Sequence, residues 1–250
     1  MSTANVQVVR WGAEQARIGP WQGDDKVAYL SPLAGTPPPS VAFVRRCLDQ
    51  LAGRGFSRVV TGALAAPEQT AFLGAGFKVE ESLHVLSADV DSLAARWWRR
   101  SPRDVTIRRA YSADRPAVLA LDHVAFDHFW QLDEAGLADA LHATPRARFR
   151  VALGGHRRPS PTTEIIGYAI TGRAGGHGFL QRLAVDPAWQ RRGVGRELVL
   201  DGLAWLQRRS VERVAVNTQL ENRNALALYE SLGFRREPRG LSVLSAGIRP

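Results

Sequence analysis

Gln190-Arg191-Arg192-Gly193-Val194-Gly195 is the densest grouping of chemistry-capable residues in this chain. Gly193 and Gly195 lack a Cβ, so the main chain can turn sharply there and approach a ligand closely. Arg191, Arg192 and Arg196 add fixed positive charge in a planar donor geometry that suits phosphate. From Val194 onward, Val199, Leu203 and Leu206 recur at helical spacing. A loop feeding a helix N-terminus offers unpaired N–H groups and partial positive charge, which predicts a pyrophosphate cradle. The alternative is a solvated arginine cluster on an ordinary strand–helix turn. The third glycine of the dinucleotide fingerprint is missing, and no Gly-Lys-Ser/Thr of the nucleotide hydrolases follows. Further along, Asn222-Arg223-Asn224-Ala225 and Leu228-Tyr229-Glu230-Ser231-Leu232-Gly233-Phe234 bring in a phenol. A phenol titrates at about pH 10, so Tyr229 stays protonated at neutral pH and can serve as a proton donor.

Elements must position these groups. The run Gly178 to Val185 reads as a strand, followed by the glycine turn, a helix, a strand at Glu212 to Val216 and a second helix ending at Gly233-Phe234. In this order the motifs resemble the GNAT acyltransferase superfamily. Gln190 to Gly195 matches its cofactor signature, Gln/Arg-x-x-Gly-x-Gly/Ala. Leu183-Ala184-Val185-Asp186-Pro187 resembles the strand that contacts the cofactor. Asn222-x-x-Ala225-x-x-Leu228-Tyr229-x-x-x-Gly233-Phe234 matches the second signature. The resemblance implies the GNAT fold, an α/β (α+β) architecture with a mixed, mostly antiparallel sheet flanked by helices.

The resemblance also implies acetyl-coenzyme A as cofactor. It assigns Leu183, Ala184 and Val185 to the pantetheine and the backbone of Arg191, Arg192, Gly193, Val194, Gly195 and Arg196 to the pyrophosphate. Asn222 would meet the pantetheine arm, and Tyr229 would protonate the departing thiolate. The implied reaction is acetyl transfer to a primary amine by direct attack in a ternary complex. One position departs from the pattern. Bacterial N-terminal acetyltransferases of the superfamily carry a glutamate base where this chain has Asn217, and an amide accepts no proton at neutral pH. Two other readings stay open: a catalytically weak acyl-CoA-binding sensor or scaffold, favoured by Asn217, and a basic nucleic-acid-associated protein.

On the acceptor side, Thr106 to Ala110 reads as an opening strand and Ala113 to Val124 as a helix. Asp122-His123-Val124-Ala125-Phe126-Asp127-His128-Phe129-Trp130 follows, dense in acids, histidines and aromatics. It reads either as an acceptor pocket, with His123 or His128 as base, or as aromatic packing with solvated charges. Gln181 could orient a water or sit at the core edge.

The first part of the chain echoes the last. Phe43–Leu51 parallels Leu198–Leu206, Ser57–Thr61 parallels Glu212–Val216, and Ala71–Phe77 parallels Leu228–Phe234; each copy then closes with a strand, Lys78–Leu86 and Ser242–Gly247. Phe72 replaces the tyrosine, and the turn Ala34 to Ser40 carries Pro37, Pro38 and Pro39, which lack N–H donors. The expected division is a degenerate, truncated GNAT-like domain over 1–98, a linker over 99–104 and a catalytic domain over 105–250. The linker is marked by Arg99-Arg100-Ser101-Pro102-Arg103 after a helical run from Val90 to Trp98, and His156 to Thr163 reads as a loop between two strands.

Composition sets bounds. The 250 residues allow one or two domains. The lone cysteine, Cys47, excludes an intramolecular disulfide and reads as packing. No Cys/His cluster suggests a metal, and no secretory signal or membrane-spanning run is visible, so a cytoplasmic location is expected. A net charge of +9 favours anionic partners, coenzyme A included. The arginines are spread along the chain without a nucleic-acid-binding signature, so nucleic acid is not an expected partner. The expected partner is an amine acceptor, small molecule or protein, with the oligomeric state open.

Overall fold

The computed structural model describes residues 7–33, 35–94, 105–155 and 164–248. The chain begins with β1 (Gln7–Trp11), β2 (Glu14–Pro20), β3 (Val27–Pro32), α1 (Val41–Ala52), β4 (Arg58–Thr61), α2 (Ala66–Gly74), β5 (Lys78–Asp89) and α3 (Val90–Ala94). It continues with β6 (Val105–Arg109), α4 (Arg115–Ala125), α5 (Glu134–His142), β7 (Arg146–Gly154), β8 (Glu164–Ala174) and β9 (His177–Val185). Then come α6 (Val194–Gln207), β10 (Arg213–Gln219), α7 (Arg223–Leu232), β11 (Arg235–Arg236) and β12 (Leu241–Gly247).

Contacts group these elements into two compact units. One runs to Val85 and takes in Thr218–Glu221 and the chain from Glu237 onward; the other comprises Leu86–Asn217 and Asn222–Arg236. In the first, the sheet order is β1-β2-β3-β4-β12-β5. All neighbours with a defined register are antiparallel except β3 and β4, which are parallel and joined through α1. In the second, the order is β5-β10-β9-β8-β7-β6, with β11 against β5. There β9 and β10 are the parallel pair, joined through α6. Among the pairs with a defined register, each unit is thus mostly antiparallel with one parallel pair joined through a helix.

The repeat is visible at atomic detail. Helix α7 ends on Gly233 at φ 102°, and the N–H of Phe234 donates to the carbonyl of Tyr229 at 3.0 Å. After α2, Gly76 stands at φ +95°, and the N–H of Phe77 donates to the carbonyl of Phe72 at 3.1 Å. Both are left-handed helix stops of the kind glycine allows. The following Phe packs on the residue five before it, Phe77 on Phe72 and Phe234 on Tyr229.

The crossover helices begin differently. Ser40 caps α1, accepting from the N–H of Phe43, and its own N–H and hydroxyl donate to the carboxylate of Glu14. A carboxylate side chain thus caps the N-terminal end of α1, whereas among the described residues no side chain caps the start of α6, whose first turn carries Glu197. Cys47 is fully buried on α1, and burial pushes its thiol up to about 12. It packs in the core as expected.

The compact units do not follow the expected linear division. Residues 95–104, including the predicted linker, lie outside the described residues, as do Ala34 and the 156–163 loop. The second unit already includes Leu86, Ala88, Val90 and Leu93, which sit in its core with Val199, Leu203 and Phe234. Conversely, β12 pairs with β4 and β5, and its Leu244 and Ala246 belong to the first core. Main-chain pairing is indifferent to sequence distance, so the closing strand need not serve the unit it follows.

In the second unit, α4 and α5 cover one face of the sheet through Val118, Leu121, Leu137, Val151, Tyr168 and Ile170. Helices α6 and α7 pack in a separate core with Leu180, on the other face. The strands within 7–32 carry too little distinctive punctuation to be read as elements from sequence, whereas β7 and β8 are the two strands expected on either side of the 156–163 loop.

Candidate active site

Strands β9 and β10 pair from Arg213↔His177 to Val216↔Leu180 and no further, although both continue. Beyond Leu180 they diverge. Against β8 the register shifts at the same place: Ile170 faces Arg182, while Thr171 faces Leu180, which leaves Gln181 as an extra residue. Such a bulge bends a strand and re-aims its side chains. Here it turns Arg182 towards α4, with Ala184, while Leu183 and Val185 pack on the α6 side. Along Gln181–Val185 one main-chain edge of β9 is therefore left without a strand partner among the described residues.

That edge borders a cavity of about 500 Å³. Its walls include Leu183, Ala184 and Val185 from β9, Gln190, Arg191, Gly193, Gly195 and Arg196 from the turn, and Asn222, Asn224, Ala225 and Leu228 from α7. Ala125 and Phe126, at the end of α4, close the remaining side. Of the predicted cofactor residues, only Arg192 and Val194 do not line it. Val194 is buried in the core, and the Arg192 guanidinium lies 4.9 Å from the centre of the Trp189 ring.

Gly193 caps α6 in the left-handed region at φ 85°, and Arg191 stands at φ 63°. Left-handed residues in such a turn orient N–H groups into a concave, anion-accepting surface. The Gln190 carboxamide donates to the Val185 carbonyl at 3.4 Å, which ties the turn to the strand end. Gly195 explains itself differently. A Cβ there would point at Leu228, Val185 and Leu183, at 3.4, 3.5 and 3.9 Å, ordinary contact distances. All three line the cavity, so a methyl there would sit on the cavity wall in ordinary contact with them.

Asn222 caps α7, its carboxamide oxygen accepting from the N–H of Ala225 at 3.1 Å. Asn222 also lines the cavity. Tyr229 is not on the cavity wall. It is 4% exposed, in the core with Phe234 5.7 Å away, between wall residues Ala225 and Leu228 on the same helix and Leu232. Burial raises its phenol well above the ordinary range, so it is fully protonated at neutral pH. Among the described residues its hydroxyl has no hydrogen-bond partner. Asn217 and Glu221 are exposed.

The predicted acceptor patch divides. Phe126 reaches the cavity; His123 and His128 are exposed and do not. The Nε2 of His123 lies 2.8 Å from the carbonyl of Leu132, so it carries the proton and donates. Phe129 and Trp130 pack edge to face. Gln181 donates to Thr144 at 3.3 Å, while its Oε1 is buried without a partner.

Sequence reasoning missed a buried ionic group. Asp122 is fully buried and accepts from Arg182, Tyr168 and the N–H of Leu132. The signal was present: Asp122 sits on the Val118, Leu121, Ala125 stripe of α4, and Arg182 interrupts an apolar strand. A charge on an apolar face is seldom buried unpaired.

Residues 116–234 match the model of the Acetyltransferase (GNAT) family. Mycothiol acetyltransferase of Amycolatopsis mediterranei is 30% identical over 206 residues, which is 78% of this chain and 67% of the relative. The Renibacterium salmoninarum protein of that name is 28% identical over 168 residues, 64% of this chain and 49% of the relative. This chain thus spans about half to two thirds of the length of these relatives. N-alpha-acetyltransferase 30 of Xenopus laevis is 37% identical over 62 residues, 25% of this chain and 23% of the relative. Among solved structures, a tandem GNAT protein from the clavulanic acid biosynthesis pathway superposes with a TM-score of 0.70 at 14% identity, covering 97% of this chain and 82% of that one. That likeness is one of fold. The chain belongs to the GNAT family, and it is an acetyltransferase. No helix among the described residues is long and apolar enough to cross a membrane.

Proposed function

We propose that this chain moves an acetyl group from acetyl-coenzyme A to a primary amine, with both bound together at the cavity of the second unit. The observation that carries the reading is the unpaired edge Gln181–Val185 leading onto the Gly193 turn at the start of α6. An edge of free amides and carbonyls suits an amide-bearing arm as it would suit another strand, and an open helix N-terminus suits a diphosphate. The residues fit the group part by part. The main chain of Leu183, Ala184 and Val185 would hold the pantetheine. Arg191, Gly193, Gly195 and Arg196, with the backbone of Arg192 and Val194, would hold the diphosphate. Asn222 would donate its amide nitrogen to the arm.

Coenzyme A supplies the activated acetyl group as a thioester. The chain binds and orients it against the amine, which is where most of the rate advantage of such a reaction arises. Tyr229 holds a proton that burial keeps in place, and a buried phenol is a suitable donor to a leaving thiolate. No carboxylate stands at Asn217, so the amine attacks in its neutral form, the proton it sheds as the amide forms passes to water, and Tyr229 recovers from water the proton it gives to the thiolate.

The names of the relatives direct the choice of amine. Mycothiol acetyltransferases and an N-alpha-acetyltransferase support two starting points, a mycothiol-type amine and a protein N-terminus. A cytoplasmic setting belongs to the same proposal and is supported by the lone, buried Cys47. The test is calorimetric titration of the full chain with acetyl-coenzyme A, beside Gly193→Asp. That variant forces a left-handed backbone on an L-residue and sets a carboxylate at the anion cradle. One-site binding that the variant abolishes is expected; no binding by the unmodified chain would refute the reading. The weak-catalyst reading is favoured by Asn217 and by the place of Tyr229 off the wall. It predicts binding without transfer to either kind of amine.

A further inference from the structure

The ionic group on the α4 face has a geometry that plain stabilisation does not require. The Asp122 carboxylate accepts from Arg182 Nε at 2.9 Å and from Nη2 at 2.8 and 2.7 Å, from the N–H of Leu132 at 2.7 Å, and from the Tyr168 hydroxyl. Arg182 Nη2 also donates to the carbonyl of Trp130 at 2.6 Å, and its guanidinium carbon lies 3.6 Å from the centre of the Phe126 ring. A buried ion pair seldom stabilises a fold more than well-packed apolar residues would, and its best-attested use is to fix one arrangement. The arrangement fixed here is specific. Arg182 stands in the cofactor-side strand and holds the segment after α4 at Phe126 and at Trp130, while Asp122 holds it at Leu132. Gln131 closes the segment by donating to the carbonyls of His123 and Phe126 at 3.0 and 3.1 Å. Phe126 is also part of the cavity wall.

We infer that Arg182 is a positioning residue: through its fork to Asp122 and Trp130 and its stack on Phe126, it sets the acceptor-side wall at a fixed place beside the β9 edge. The inference rests on the proposed acetyl transfer. Arg182 itself is not on the cavity wall, so amine binding depends on it through Phe126, and cofactor binding does not depend on it. The bulge at Gln181 is what makes this possible, because it brings Arg182 onto the α4 face while its neighbours Leu183 and Val185 stay on the other.

The test compares the full chain with Arg182→Lys and Phe126→Leu. Lys keeps the charge for Asp122 but loses the fork and the planar stack. Hydrogen exchange of the segment 124–132 should speed up by about tenfold in Arg182→Lys, the loss of one hydrogen bond to a charged group, with exchange in α6 unchanged. The acetyl-coenzyme A dissociation constant should stay within about twofold, as for a residue off the cavity wall. With cysteinamide as the amine, the KM for cysteinamide should rise about tenfold while kcat changes little, which marks lost ground-state positioning. Phe126→Leu should reproduce the KM change with the segment still protected. Uniformly faster exchange through the second unit, with acetyl-coenzyme A affinity lost in proportion, would make Arg182 a structural residue only and overturn the inference. Unchanged exchange in 124–132 would overturn it as well. Failure of the unmodified chain to bind acetyl-coenzyme A would instead refute the proposed function, and is read separately from the exchange result.

Discussion

Gly195 and Tyr229 separate two kinds of functional residue. Gly195 sits in the first turn of α6, where alanine would be the better helix former by about 1 kcal/mol. The protein itself leaves room for the extra methyl. Gly195→Ala is therefore expected to raise the unfolding free energy by about 0.5–1 kcal/mol while weakening acetyl-coenzyme A, since the methyl enters the cavity. Denaturant melts beside calorimetry check the pair of effects; equal affinity would show that the space is not used. Tyr229 has the opposite profile, buried and, among the described residues, without a hydroxyl partner. Tyr229→Phe removes only that hydroxyl. Turnover should fall by about 10²-fold, at the low end for an acid–base group, with acetyl-coenzyme A affinity unchanged. Loss of affinity and turnover together would mean that the ring, rather than the hydroxyl, matters. The chemistry-bearing residues of the turn were legible as residue types. That Arg192 would lie over Trp189 and Val194 would enter the core was not, because side-chain direction depends on partners distant in sequence.

At the scale of elements, the two crossover helices carry the contrast. Helix α6 begins at an open left-handed turn, and α1 begins against Glu14. Partial positive charge at a helix start takes one anion well, and α1 already has one. A single acetyl-coenzyme A per chain is therefore expected by calorimetry, and Glu14→Gln should lower stability by about 0.5–1 kcal/mol without adding a second site. A stoichiometry of two would overturn this account. The prolines 37–39 had already marked the first turn as a poor cradle. Glu14 was not legible, because nothing in its neighbourhood ties it to Ser40 across 26 positions. The divergence of β9 from β10 was equally hidden. A bulge at Gln181 leaves the alternation of the strand readable either way, and only the pairing on both sides reveals the extra residue.

At the scale of the whole molecule, the exchange of strands decides what can be cut. A fragment covering 105–250 lacks Leu86, Ala88, Val90 and Leu93, four residues of the second core. It also carries β12, whose Leu244 and Ala246 belong to the other core. Full burial of Leu86, Val90 and Leu93 contributes about 1.5–3 kcal/mol each, a large part of the usual stability of a domain. The fragment should be insoluble or unfolded by circular dichroism, whereas the full chain melts cooperatively. A folded fragment that binds acetyl-coenzyme A would show that the second unit closes its own sheet.

The sequence by itself determined the family, the turn at Gly193 and the helix stops before Phe77 and Phe234. These rest on local rules: glycine conformation, capping, periodicity and residue spacing, all set within a few positions of the chain. Only the tertiary structure decided that β12 closes the first unit, that Glu14 lies at the start of α1, and that Asp122 and Arg182 meet beneath Phe126. Each of those is a pairing between residues far apart in sequence, whose energy appears only when main-chain edges, buried charges and apolar faces have been brought to the same place.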